Sequence, residues 1–257
     1  MPFIPLHDNT PRYLIARPVT AWSLLAVSAF VFLIQVLAGE EGFIRLVYGL
    51  GTIPATLTGE AELAEALVLV DPWVTLLTYQ FLHGDFMHLF GNMLFLWVFG
   101  DNVEDAMGHV RFLLFYLLCG VLAALAQLGI DPASTTPLIG ASGAISGVLG
   151  AYLILHPKAK VLVPVVVIPL YLPAWLLLVF WFGFQFVALA DGGSSNVAWW
   201  AHIGGFVAGA TLIPFFRYRA VPLFGMGDPP GGVTLRRGVG WQRAQKGRDG
   251  SRRGPWG

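Results

Sequence analysis

Charged residues are scarce in this sequence. Asp, Glu, Lys and Arg make up 12% of its 257 residues, against about 25% in soluble globular domains. The apolar share is high at 56%, so lipid rather than water is expected to be the main solvent. Cysteine is nearly absent as well. The lone Cys119 sits in an apolar run, which excludes an internal disulfide and a cysteine-based zinc site and leaves it as a small buried hydrophobe. No His-Glu-x-x-His stretch offers a helical metal site, and Asp85 and Asp101 stand at opposite ends of one apolar run instead of pairing. The opening stretch, MPFIPLHDNTPRYLIARP, has no basic start ahead of an apolar core. It does not read as a removable signal peptide.

What the chain does have is apolar runs. A spanning helix needs about 20 mostly apolar residues, and six candidates can be read: Ala21–Ala38, Met87–Phe99, Phe112–Gly129, Gly143–Leu155, Tyr171–Ala190 and Trp199–Phe216. The first, third and fifth are long and clean. The others are shorter or interrupted by Gly, His, Asn and Ser. Polar groups survive in hydrocarbon where protein or a water-filled cavity surrounds them, so the interrupted spans are expected in the bundle interior. With six spans and both termini cytoplasmic, Arg45 alone of the fifteen Lys and Arg residues lies outside, as the positive-inside rule asks. The first outside loop, Gly39–Pro72, is long and keeps Phe43, Leu46, Val47 and Leu67–Val70. It is expected to be partly inserted and packed on the bundle. The fold expected is therefore an all-α polytopic membrane protein. Residues 1–20 form a cytoplasmic segment, residues 21–216 the membrane domain, and residues 217–257 a basic, disordered cytoplasmic tail able to touch anionic lipid.

Spans two, four and six run in the same direction under this topology, and each carries its polar residues near its outer beginning. Span two opens with His83, Asp85, His88 and Asn92, span four with Gly140-Ala141-Ser142-Gly143, and span six with Ala201-His202-Ile203-Gly204-Gly205. Gly143, Gly147 and Ala151 recur every four residues, as do Ala201, Gly205 and Gly209. Small residues at this period let two helices approach closely, and packing these faces together would bring Ser142 near His202. A serine hydroxyl needs a base, and histidine suits that task. Ser142 also begins a helix, whose free backbone N–H groups, its own included, favour a developing oxyanion. His88 and Asn92, four apart, share a helix face and are candidate oxyanion donors. From Ser142 to Leu155 the helix rises only about 20 Å at about 1.5 Å per residue, so Ser142 is expected below the outer surface in a cavity open to that side.

Blander readings stand beside these. A lone membrane serine most often bonds its own backbone, and small-residue faces usually only pack helices. His7, His109 and His156 lie at loops or helix ends and read as solvated. Asp85 reads as a helix cap. No carboxylate neighbours His202 in sequence, so a two-residue Ser–His dyad is the simpler arrangement.

Together these residues resemble the rhomboid intramembrane serine proteases. Gly140-Ala-Ser142-Gly143 is similar to the family's nucleophile motif, Ala201-His202-Ile203-Gly204-Gly205 to its base motif, and His88-Leu-Phe-Gly-Asn92 to its oxyanion motif. His83 falls at a further, commonly histidine, position. The likeness runs from about Pro5 to Phe216 and matches the bacterial six-span form. It implies a rhomboid-like bundle in an inner membrane, opening to the outer side, with Ser142 and His202 catalytic, His88 and Asn92 stabilising the oxyanion, and His83, Gly140 and Gly143 supporting. It further implies no metal or cofactor. The partners implied are the bilayer and single-span or multi-span membrane protein substrates, cut near their outer end, and not nucleic acid; no oligomeric state follows. In some relatives an aromatic four positions after the nucleophile stacks on the catalytic histidine. Here that position is Ser146, leaving Trp199, Trp200 or Tyr152 as substitutes. The Trp-Arg pair often seen in the first outside loop is missing. Two rival functions remain at this point: a non-catalytic rhomboid-like client binder, and a transporter relaying protons through His83, His88 and His202.

Overall fold

The computed structural model describes residues 4–165, 168–190, 198–225, 233–234 and 242–243. Their helices are α1 (Val19–Leu37), α2 (Gly39–Leu50), α3 (Pro54–Thr58), α4 (Thr75–Thr78), α5 (Phe86–Met107), α6 (His109–Ile130), α7 (Ser142–Leu155), α8 (Ala174–Ala190) and α9 (Trp199–Phe216). Strands β1 (His7–Asp8), β2 (Lys160–Val165) and β3 (Ile168–Pro173) form an antiparallel sheet in that order, and β4 (Val233–Thr234) pairs with β5 (Gln242–Arg243). Three helices, α1, α6 and α9, are long and apolar enough to cross a membrane, and α7 and α8 are shorter apolar helices.

Helix α7 is the centre of the bundle. From Gly143 to Tyr152 every residue is buried, so nothing but protein surrounds it. Its neighbours reach it because glycines remove side chains at the contact. A Cβ on Gly205 would strike the Gly143 carbonyl oxygen, one on Gly209 the Gly147 carbonyl, and one on Gly150 the Phe206 carbonyl. Helices α7 and α9 thus meet backbone to backbone, an approach only small residues permit. On its other side a Cβ on Gly147 would meet Cys119 of α6, and Cys119 is itself fully buried.

Helix α5 differs from the run read in the sequence. That run ends at Phe99, before Asp101, Glu104 and Asp105, yet the helix continues to Met107. The acids are tolerated because the N-terminal segment supplies donors. Asp105 accepts from the backbone N–H groups of Tyr13, Leu14 and Ile15 at 2.7–2.9 Å. Glu104, fully buried, accepts from Thr20 and Ala21 at 2.9 and 2.8 Å and also meets the His109 ring. Gly108, at φ +80°, then turns the chain into α6. His109 is therefore engaged rather than simply solvated. His156 is partly buried as well, its ring 5.3 Å from that of Tyr152, and burial lowers its pKa to about 4. The start of the fifth run is corrected too: Tyr171–Pro173 belong to β3, and α8 begins only at Ala174.

The segment between α1 and α5 is structured and packed. Thr52 and Leu138 exchange backbone hydrogen bonds at 3.0 and 2.7 Å, and Thr78 donates to the Leu50 carbonyl at 2.6 Å. Tyr79, buried, donates its hydroxyl to the Gly120 carbonyl of α6 at 2.7 Å. At the other terminus, Tyr218 N–H bonds Ala106 O, and Phe224 and Gly225 N–H bond Ile154 O and Leu155 O, so residues 218–225 remain packed on the bundle. Most of the basic tail read from residue 217 onward lies outside the described residues.

Candidate active site

Three helices start at one end of the bundle, and their first turns carry the polar groups. Asp85 caps α5, its carboxylate accepting from His88 N–H at 2.8 Å, as an N-cap acid does. Ser142 is the first residue of α7. The opening N–H groups of that helix have no intrahelical acceptor. His202 lies in the first turn of α9.

The glycine contact between α7 and α9 brings Ser142 Oγ to 2.8 Å from His202 Nε2. Both residues are partly exposed, so the pair is accessible while its surroundings are packed. On the far side of the His202 ring, Nδ1 is 3.1 Å from Gln185 Oε1 of α8. Trp181, one turn earlier on α8, sets its ring 6.1 Å from His202 at 34°, and Trp199 approaches edge-on at 6.1 Å.

His88 and Asn92 face the turn before Ser142. Gly140 holds φ +116°, and a Cβ there would sit 2.7 Å from His88 Nε2 and 3.7 Å from Asn92 Nδ2. Glycine is thus required twice over, for its backbone angle and for room. Gly84 N–H points at His88 Nδ1 at 3.4 Å, an arrangement that leaves the ring proton on Nε2, toward Gly140. Asn92 is 1% exposed, and its Nδ2 has no acceptor among the described residues. Gly143 lets Ala123 and the Tyr79 hydroxyl close on α7. His83 is fully buried; Gln35 of α1 pairs with its backbone N–H and C=O, each at 3.1 Å, and its ring stands edge-on to His88 at 5.3 Å.

A rhomboid-domain family model matches residues 71–219, more than half of the chain. The chain belongs to the rhomboid family. It is 39% identical over 111 residues to Rhomboid protease GluP of Bacillus subtilis (strain 168), covering 43% of this chain and 21% of that protein. It is 35% identical over 100 residues to the mitochondrial Rhomboid protein 1 of Saccharomyces cerevisiae, covering 37% and 29%. With the mitochondrial RHOMBOID-like protein 12 of Arabidopsis thaliana it shares 33% over 162 residues, covering 56% and 46%. The aligned part spans less than half the length of each relative.

Within this rhomboid site some sequence expectations need adjusting. Tyr152 does not reach His202; its hydroxyl donates to Asp8 Oδ2 at 2.5 Å near the opposite end of α7. Ser146, in the place of an aromatic, donates to the Ser142 carbonyl at 2.6 Å. Trp181 and Gln185 were not anticipated, because the fifth run reads only as long and clean. A signal was present: apart from its tryptophans, Gln185 is the one polar side chain between Ala174 and Ala190, and an isolated amide in an apolar helix is expected to face a partner. No group of three His, Cys, Asp or Glu side chains fit to hold a metal occurs among the described residues.

Proposed function

We propose that this rhomboid-family membrane protein is an intramembrane serine protease acting through Ser142 and His202. The observation that carries the reading is the 2.8 Å contact of Ser142 Oγ with His202 Nε2 at the start of α7. His202 Nε2 takes the hydroxyl proton as Oγ attacks the scissile carbonyl carbon. The carbonyl oxygen becomes an oxyanion beside the N-terminus of α7. There the Ser142 N–H, the His88 Nε2–H and the Asn92 amide donate to it, with the helix dipole in support. Collapse of this intermediate breaks the peptide C–N bond, and His202 returns the proton to the leaving amine. Water then attacks the acyl carbon as His202 takes its proton; the Oγ–acyl bond breaks and His202 returns the proton to Ser142 Oγ. Apart from the water of the second half, each step uses groups already at the site.

The substrates are transmembrane segments of single-span or multi-span proteins, cut near their outer end. The chain crosses a bacterial inner membrane six times, with both termini cytoplasmic and the site opening outward. The distribution of Lys and Arg supports that orientation. His83 braces His88 from behind. The test is a fluorophosphonate probe on purified protein in vesicles, together with cleavage of a single-span substrate. Wild type is labelled and cuts, and Ser142→Ala does neither. Undiminished cleavage by Ser142→Ala overturns the mechanism.

A further inference from the structure

The His202 ring has two nitrogens, and the Ser–His reading uses one. We infer that Gln185 is a positioning residue that holds His202 in the tautomer able to accept the Ser142 proton. The inference rests on the protease reading above and extends it to α8. Gln185 is 2% exposed, and its Oε1 lies 3.1 Å from His202 Nδ1. Its Nε2 donates to the Trp181 carbonyl at 3.1 Å. That second bond settles which end of the amide faces the histidine, because an NH2 group belongs against a carbonyl. Oε1 can only accept, so Nδ1 carries the proton and Nε2 keeps its lone pair toward Ser142 Oγ, 2.8 Å away. The protonated nitrogen of a histidine is set by the bond its other nitrogen makes.

Chemistry and location fit this role. A buried amide on an apolar helix is costly unless satisfied, and here its oxygen is satisfied by His202. Trp181, from the same face of α8, closes over the ring, so one helix supplies both the bond and the wall that fix it. Among the described residues His202 also meets Ser142 of α7, Trp199 of α9 and the titratable His88 of α5. Gln185 thus orients the imidazole without placing a fixed charge beside it.

The test uses the full chain in vesicles, measuring substrate cleavage and probe labelling of Ser142. Gln185→Leu keeps the bulk and removes the acceptor; kcat is expected to fall about 10- to 100-fold with KM within about two-fold, since orientation rather than binding is lost. Gln185→Glu keeps an acceptor. It is expected to recover most of kcat and to move the acidic limb of the kcat–pH profile to higher pH, because a carboxylate beside Nδ1 favours the imidazolium. A Gln185→Leu kcat within about two-fold of wild type overturns the inference and leaves the Ser–His reading standing. So does an unmoved acidic limb in Gln185→Glu, which decides the matter if the leucine variant fails to fold. A wild-type protein whose Ser142 is not labelled overturns both.

Discussion

The two ends of α7 bury polar groups in opposite ways. At the end of α7 remote from Ser142, carboxylates are saturated. Asp105 holds three backbone N–H groups, Glu104 two and a histidine, and Asp8 accepts from Asn102 Nδ2 at 2.9 Å and from the Tyr152 hydroxyl. At the Ser142 end the carboxylate identified, Asp85, serves as the N-cap of α5, and around Ser142 donors are left uncommitted. Asn92 Nδ2 has no acceptor among the described residues, and the first N–H groups of α7 have no helical one. A saturated carboxylate anchors chain, here the N-terminal segment against α5. An unsaturated donor is costly in the resting state and is useful only if something that needs it arrives. The difference separates structural polarity from chemical polarity along a single helix.

The largest expected effect tests the chemical end. His202→Ala should lower cleavage by at least about 10⁴-fold because the base is lost, with a smaller loss of stability from the Gln185 oxygen left without its partner. Asn92→Ala should follow, with kcat down about 10²- to 10³-fold from the loss of one oxyanion donor; a change confined to KM would remove Asn92 from that role. Glu104→Ala inverts the pattern. It strands the Thr20 and Ala21 N–H groups, so stability should drop by about 3 kcal/mol, whereas kcat per folded molecule should hold. A Glu104→Ala variant that is stable but slow would erase the distinction between the ends.

The sequence alone carried the interior helices well and their edges less well. Polar interruptions in the runs containing His88, Ser142 and His202 pointed to one end of the bundle for these groups, and the four-residue spacing of Gly143, Gly147, Gly205 and Gly209 anticipated the α7–α9 contact. The extension of α5 past Phe99 was hidden because its acids are satisfied by residues some 80–90 positions away, a match that no local pattern encodes. The loss of Tyr171–Pro173 to a strand was hidden because apolar runs read alike as helix or sheet. In the site, motif residues were legible through their spacing. Gln185 and Trp181 were not, since their role depends on which face of an otherwise uniform helix turns inward.

The smallest effect expected concerns Asp8, which tests how silent the saturated end is. Asp8 lies in β1, outside the helices, and burial raises its pKa above the ordinary 3.8 despite hydrogen bonds from Tyr152 and Thr10. The native state therefore holds a proton that the unfolded chain releases more readily. The stabilising contribution of this group is complete below pH 3.8 and is lost as pH rises through the raised value. Asp8→Asn mimics the protonated form and keeps an acceptor oxygen for Tyr152. Thermal unfolding of the two proteins in the same detergent should coincide at the acidic limit, and the asparagine variant should gain on wild type as pH increases through that window. A midpoint difference that favours wild type at higher pH would show instead that the ionised carboxylate anchors β1.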